Sequence, residues 1–165
     1  MSEDRQPVSL PPFPPEYRAS GLLLHVTSLP SPYGIGDVGQ AALALIDPLH
    51  EAGQSWWQAL PLGPTGYGNS PYQSLSSFAG NGLLISPDWL IEDELLRPTD
   101  CAPTSFSGTA VDYGKVITFK RRLIERAWNN FIVAARSQLQ VDFEQFCHDQ
   151  KHWLEDYALF RVLKA

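Results

Sequence analysis

The chain has 165 residues, 44% of them apolar, and a formal charge of -6. That length and composition suit one packed domain rather than an extended tail. The only basic cluster is Lys120-Arg121-Arg122, so the grouped cations that a nucleic-acid backbone requires are missing and nucleic acid is not expected as a partner. The triplet itself reads as the solvated face of a helix. Cys101 and Cys147 have no metal-ligand companions at short spacing, and so sparse a usage fits a reducing compartment, with a single structural disulfide as the lesser alternative. Met1-Ser-Glu-Asp-Arg5 lacks the basic and apolar regions of a signal peptide, and no apolar run reaches membrane-spanning length. A soluble cytoplasmic protein without membrane contact is therefore expected.

Residues 1–17 hold five prolines and read as an extended Pro-rich lead-in. Ser20 to Leu29 is a short apolar run without alternation, the pattern of a strand buried on both faces. Asp37 followed by Gln40 is a capping-box variant that opens a helix. Leu45, Ile46, Leu49 and Ala52 mark its apolar face, Gly53 is a C′ stop, and Pro48 should bend it. Ser55 to Leu62 is a second buried strand, completing a βαβ unit of an α/β fold.

Pro64 to Gly82 follows directly: turn residues interleaved with Tyr67, Tyr72 and Phe78, and not one charge. A loop after a parallel strand sits where α/β folds build their sites. Aromatic faces with short hydroxyl and amide side chains suit a sugar, whose ring stacks while its hydroxyls find partners. The plainer alternative is a tight surface loop with its aromatics packed inward. Ser86-Pro-Asp88 opens a short helix, and residues 97–108 read as loop. From about Tyr113 a helix runs with Val116, Lys120, Leu123, Ala127, Phe131 and Ala135 on one face. Asp142 with Gln145 opens another, whose apolar stripe runs from Phe143 to Leu163. That stripe reaches Ala165 without a stop signal, so the chain reads as truncated there. His148 and His152 lie i,i+4 and read as a half-exposed structural pair.

Two patterns bear on chemistry. Gly34-Ile-Gly-Asp-Val-Gly39 is a literal dinucleotide fingerprint, but two prolines separate it from the strand and the second strand ends without an acid. Its glycines read as tight-turn residues and Asp37 as a helix cap. Glycosyl chemistry needs paired carboxylates, and none falls in the Pro64–Gly82 loop, so no catalytic residue is assigned.

Taken together, Gly21-Leu-Leu-Leu-His25, Thr27-Ser-Leu-Pro30, Trp57-Gln-Ala-Leu-Pro-Leu62, Pro64-Thr-Gly-Tyr-Gly-Asn-Ser-Pro-Tyr-Gln73, Val111-Asp-Tyr113 and Trp153-Leu-Glu-Asp-Tyr-Ala-Leu-Phe160 carry a resemblance. The chain resembles the N-terminal part of the amylomaltases, the 4-alpha-glucanotransferases of glycoside hydrolase family 77. The resemblance implies an α/β fold: the first two strands of a (β/α)8 TIM barrel with a mainly helical inserted subdomain. The expected division is a lead-in over 1–17, the first βαβ unit and sugar loop over 18–85, and a helical segment over 86–165. It implies transfer of α-1,4-glucan segments by a retaining double displacement, with maltooligosaccharide, amylose or glycogen as partner and no metal or organic cofactor. Ser70 and Tyr72 match donor-sugar contacts, and Tyr67 and Tyr113 match residues of a second glucan groove. The family's nucleophile, acid/base and transition-state carboxylates have no counterpart in these residues. A catalytically inactive glucan-binding module is the alternative. In either case an isolated pair of barrel strands should be marginal or self-associating.

Overall fold

The computed structural model describes residues 16–102, 105–134 and 138–164. Nearly all of the Pro-rich lead-in, and Ala135 of the long helical face, lie outside those residues. Strand β1 (Gly21–Leu23) is followed by a helical turn over Val26–Ser28, helix α1 (Gln40–Glu51) and strand β2 (Trp56–Gln58). The strands pair in parallel, Gly21 opposite Trp56 and Leu23 opposite Gln58. The expected βαβ unit is therefore present. Both strands are shorter than the apolar runs that signalled them, because Pro30 and Pro61 and the turn at Val26 withdraw the flanking residues from pairing.

Burial on both faces does not hold: Leu23 is 61% exposed. Among the described residues the sheet has two strands, and β1 and β2 leave an edge open on each side. One core lies beneath the unit, where Val26, Leu29, Ala42 and Leu84 pack with Trp57 and Leu45. The inner face of α1 runs through Ala42, Leu45 and Leu49, whereas Ile46 of the expected face is exposed. The stop at Gly53 is as read: its φ is +69°, its N–H donates to His50 O (2.9 Å), and Gln54 N–H reaches Leu49 O (2.9 Å). That is a Schellman closure. Pro48 lies within α1, where it supplies no N–H for the preceding turn.

Helix α2 (Pro87–Glu92) starts after Ser86 as expected, and α3 (Tyr113–Val133) starts where the sequence placed it. Asp112 caps α3 by accepting from Lys115 N–H at 3.2 Å. Its face Val116, Phe119, Lys120, Leu123 and Ala127 is buried. Phe119, Leu123 and Ala127 form a second core with Tyr33 and Leu96. Helix α4 (Gln138–Asp149) begins before the expected box: Asp142 is inside it and accepts from Gln138 Nε2 at 2.7 Å. A break at Gln150 separates α4 from α5 (Lys151–Lys164), so His148 and His152 fall on different helices and both are exposed. Neither helix has a fully buried residue, because each packs through a few aromatics. Phe143 meets Trp128 and Phe131 of α3, and Trp153 meets the loop. No helix among the described residues is long and apolar enough to cross a membrane.

Candidate functional site

The uncharged segment Pro64–Gly82 leaves β2 and returns toward α2 as a loop tied by its own backbone. Leu75 N–H donates to Pro64 O and Gly66 N–H to Gln73 O, both at 2.9 Å, around a bridge between Thr65 and Ser74. The tip is a helical turn, Tyr67–Asn69, with Gly68 and Asn69 at φ +68° and +55°. Gly and Asn are the residues that adopt this region at least cost. Ser76 Oγ accepts from the N–H groups of Phe78 and Ala79, each at 3.1 Å. Asn81 N–H donates to Leu62 O at 2.9 Å and closes the neck. Phe78 stacks on Trp153 of α5 at 5.7 Å and meets His152 edge-on at 6.0 Å.

The loop is ordered, yet its tyrosines turn away from the core. Tyr67 is 92% and Tyr72 73% exposed, and Ser70 is half-buried between them. The packed-inward alternative is thereby excluded for these two rings. The structure thus brings Tyr67, Ser70 and Tyr72 onto one loop. It does not join Tyr113 to them. Tyr113 lines a separate groove of about 680 Å³ with the hydroxyl-bearing Thr27, Ser28, Ser31, Ser107 and Thr109. Behind the loop, a cavity of about 380 Å³ is lined by Asn69, Asn81, Arg121, Glu125, Tyr157 and Arg161.

Lys120 corrects the reading of the basic triplet, and Asp37 the reading of the helix cap. Gly39, not Asp37, precedes the first turn of α1 and no side chain caps it. Asp37 is buried instead, and Lys120, at 1% exposure, is the most enclosed charge of the described residues. Lys120 Nζ donates to Asp37 Oδ2 at 3.0 Å and to Ile85 O at 2.7 Å, over the ring of Tyr33. The Tyr33 phenol in turn donates to Asp88 Oδ1. Arg121 and Arg122 are exposed as expected. The missed signal was a lysine on the helical face otherwise made of Val116, Leu123 and Ala127: a charge at a core position demands a buried partner.

The fingerprint glycines serve packing. A Cβ on Gly36 would run into Val26 O and lie 2.8 Å from Leu29 N, so the chain passes there only without a side chain. Among the carboxylates, Asp37 pairs with Lys120, Asp88 with Tyr33, and Asp100 with Arg126 at 2.8 Å, while Glu125 lines the cavity behind the loop. His25 lies two residues past β1, just before the turn at Val26, and burial lowers its pKa.

A model of the 4-alpha-glucanotransferase family matches residues 24–165. A 4-alpha-glucanotransferase of Synechocystis is 48% identical over 149 residues, 89% of this chain and 29% of that protein. The Thermus thermophilus 4-alpha-glucanotransferase is 47% identical over 148 residues, 90% of this chain and 29% of that protein. An amylomaltase from Streptococcus agalactiae, solved in complex with acarbose, superposes with a TM-score of 0.82 at 39% identity, covering 90% of this chain and 30% of its own. The chain thus spans less than a third of the length of these relatives. Matched over nearly its whole length by the family model and by these relatives, the chain belongs to the 4-alpha-glucanotransferase family, the amylomaltases.

Proposed function

We propose that these residues are the N-terminal, glucan-binding part of a 4-alpha-glucanotransferase, built on the first two strands of a (β/α)8 barrel with a mainly helical insertion. The loop Pro64–Gly82 grips an α-1,4-glucan. Tyr72 stacks on a donor sugar and Ser70 hydrogen-bonds to it. Tyr67 and Tyr113 serve a second stretch of glucan on separate walls. The observation that carries this reading is a backbone-braced, uncharged loop holding two tyrosine rings in solvent. A ring kept exposed by a rigid loop is a stacking platform without a reorganisation cost.

The chemistry itself requires a carboxylate pair across the scissile bond. The loop itself supplies no acid, and Asp37, Asp88 and Asp100 are committed to Lys120, Tyr33 and Arg126. The chain spans less than a third of its relatives, and the nucleophile and acid/base are assigned to polypeptide beyond these 165 residues, so that this chain by itself binds glucan without transferring it. Isothermal titration with maltoheptaose should give saturable heat that Tyr72→Ala sharply weakens, while incubation with maltotriose should release no glucose. No heat at saturating sugar removes the glucan reading. Glucose together with longer oligomers would show that the catalytic groups are in this chain after all.

A further inference from the structure

We propose that Lys120 is a positioning residue of the glucan loop, holding its C-terminal root in place through the carbonyl of Ile85. The proposal rests on the reading of Pro64–Gly82 as the glucan-binding loop. Lys120 belongs to α3, 35 residues beyond Ile85 and 83 beyond Asp37, so its two bonds join three distant segments. The neighbouring carbonyl of Leu84 accepts from Val38 N–H at 3.0 Å, one residue past Asp37. Residues 84 and 85 are thus gripped from two sides, by the segment that carries Asp37 and by Lys120.

The grip is transmitted to the loop by short, ordered chain. Gly82–Leu84 is a helical turn, capped by Asn81 Oδ1 accepting from Leu83 N–H at 3.0 Å. The same Asn81 closes the loop neck on Leu62 O. Leu84 belongs to the core beneath the strands, and Tyr33, beneath the Lys120 ammonium, belongs to the core along α3. The ammonium therefore lies where the two cores meet. A buried charge there satisfies a main-chain acceptor that an apolar side chain would leave bare. The charged groups around it are Asp37, in direct contact, and Asp88, held on the far side of Tyr33.

Two variants of the 165-residue chain separate positioning from simple ion pairing. Asp37→Asn removes the pair but leaves the Lys120 bond to Ile85 O. Asp37→Asn/Lys120→Met removes both without stranding a lone charge. In the single variant the unpaired Lys120 charge destabilises the chain as a whole, so amide hydrogen exchange over 75–85 should change no more than that of α1. In the double variant it should rise roughly tenfold, the loss of about one anchoring hydrogen bond, while exchange in α1 is unchanged. Maltoheptaose affinity should fall in parallel in the double variant alone. Equal exchange over 75–85 in the two variants, each taken relative to α1, overturns the proposal. If the double variant does not fold, Asp37→Ala/Lys120→Leu takes its place in the same comparison. Absence of maltoheptaose binding by the wild-type chain would defeat the glucan reading, and the exchange comparison would still decide the role of Lys120.

Discussion

Burial moves both ends of the Asp37–Lys120 pair toward their neutral forms. Loss of hydration raises the Asp37 pKa and lowers that of Lys120, and their mutual attraction offsets only part of each shift. Such a pair adds little net stability but is costly to break on one side only. The exposed pair Lys115–Asp112, at 3.6 Å, is of the other kind and contributes at most about 1 kcal/mol. Tyr33 gives the cleaner pH signature. Burial first, then the hydrogen bond and charge of Asp88, raise its phenol pKa well above the ordinary value. The folded chain keeps that proton where the unfolded chain has lost it. The resulting stability is therefore full below pH ~10 and is lost as pH climbs toward the folded value. Urea midpoints measured from pH ~9 to ~12 should fall more steeply for the wild type than for Tyr33→Phe. Parallel curves would show that the phenol is not held as described.

Among the elements, α1 shows how far local chemistry reaches. Its end was legible because Gly53 alone tolerates φ +69° there, and a Cβ would meet nothing within 4 Å. Gly53→Ala therefore isolates the backbone term, and the urea midpoint should fall by about 1 kcal/mol of stability. An unchanged midpoint would mean that the Schellman closure is not maintained in solution. The start of α1 was misread, because the Asp-x-x-Gln pattern describes only neighbours in sequence. Lys120 arrived from α3 to take the carboxylate. The second such pattern failed differently: α4 starts at Gln138, and Asp142 bonds back to it within the helix. The loop Pro64–Gly82 was recognised from its turn residues, but the outward aim of Tyr67 and Tyr72 depends on bridges such as Thr65–Ser74.

For the molecule as a whole, exposed apolar surface is the dominant feature. Leu23 and Trp56 on the strands, Leu62 after them, and Leu159, Val162 and Leu163 on α5 all face solvent in the described structure. With both strand edges open as well, the 165-residue chain should self-associate at micromolar concentration. Analytical ultracentrifugation checks this: a monodisperse monomer that unfolds cooperatively would contradict it.

Local pattern alone determined the βαβ order, the start of α3, the stop at Gly53, and the place and uncharged character of the Pro64–Gly82 loop. Each depends on residues within a few positions of one another, or on a family motif written contiguously. Only the tertiary structure decided that Lys120 is buried, that Asp37 answers it, that the tyrosines of the loop face outward, and that Tyr113 lies on a different wall. Those facts depend on partners up to 83 residues apart, and a charge or a ring carries no mark of its partner until packing brings the two together.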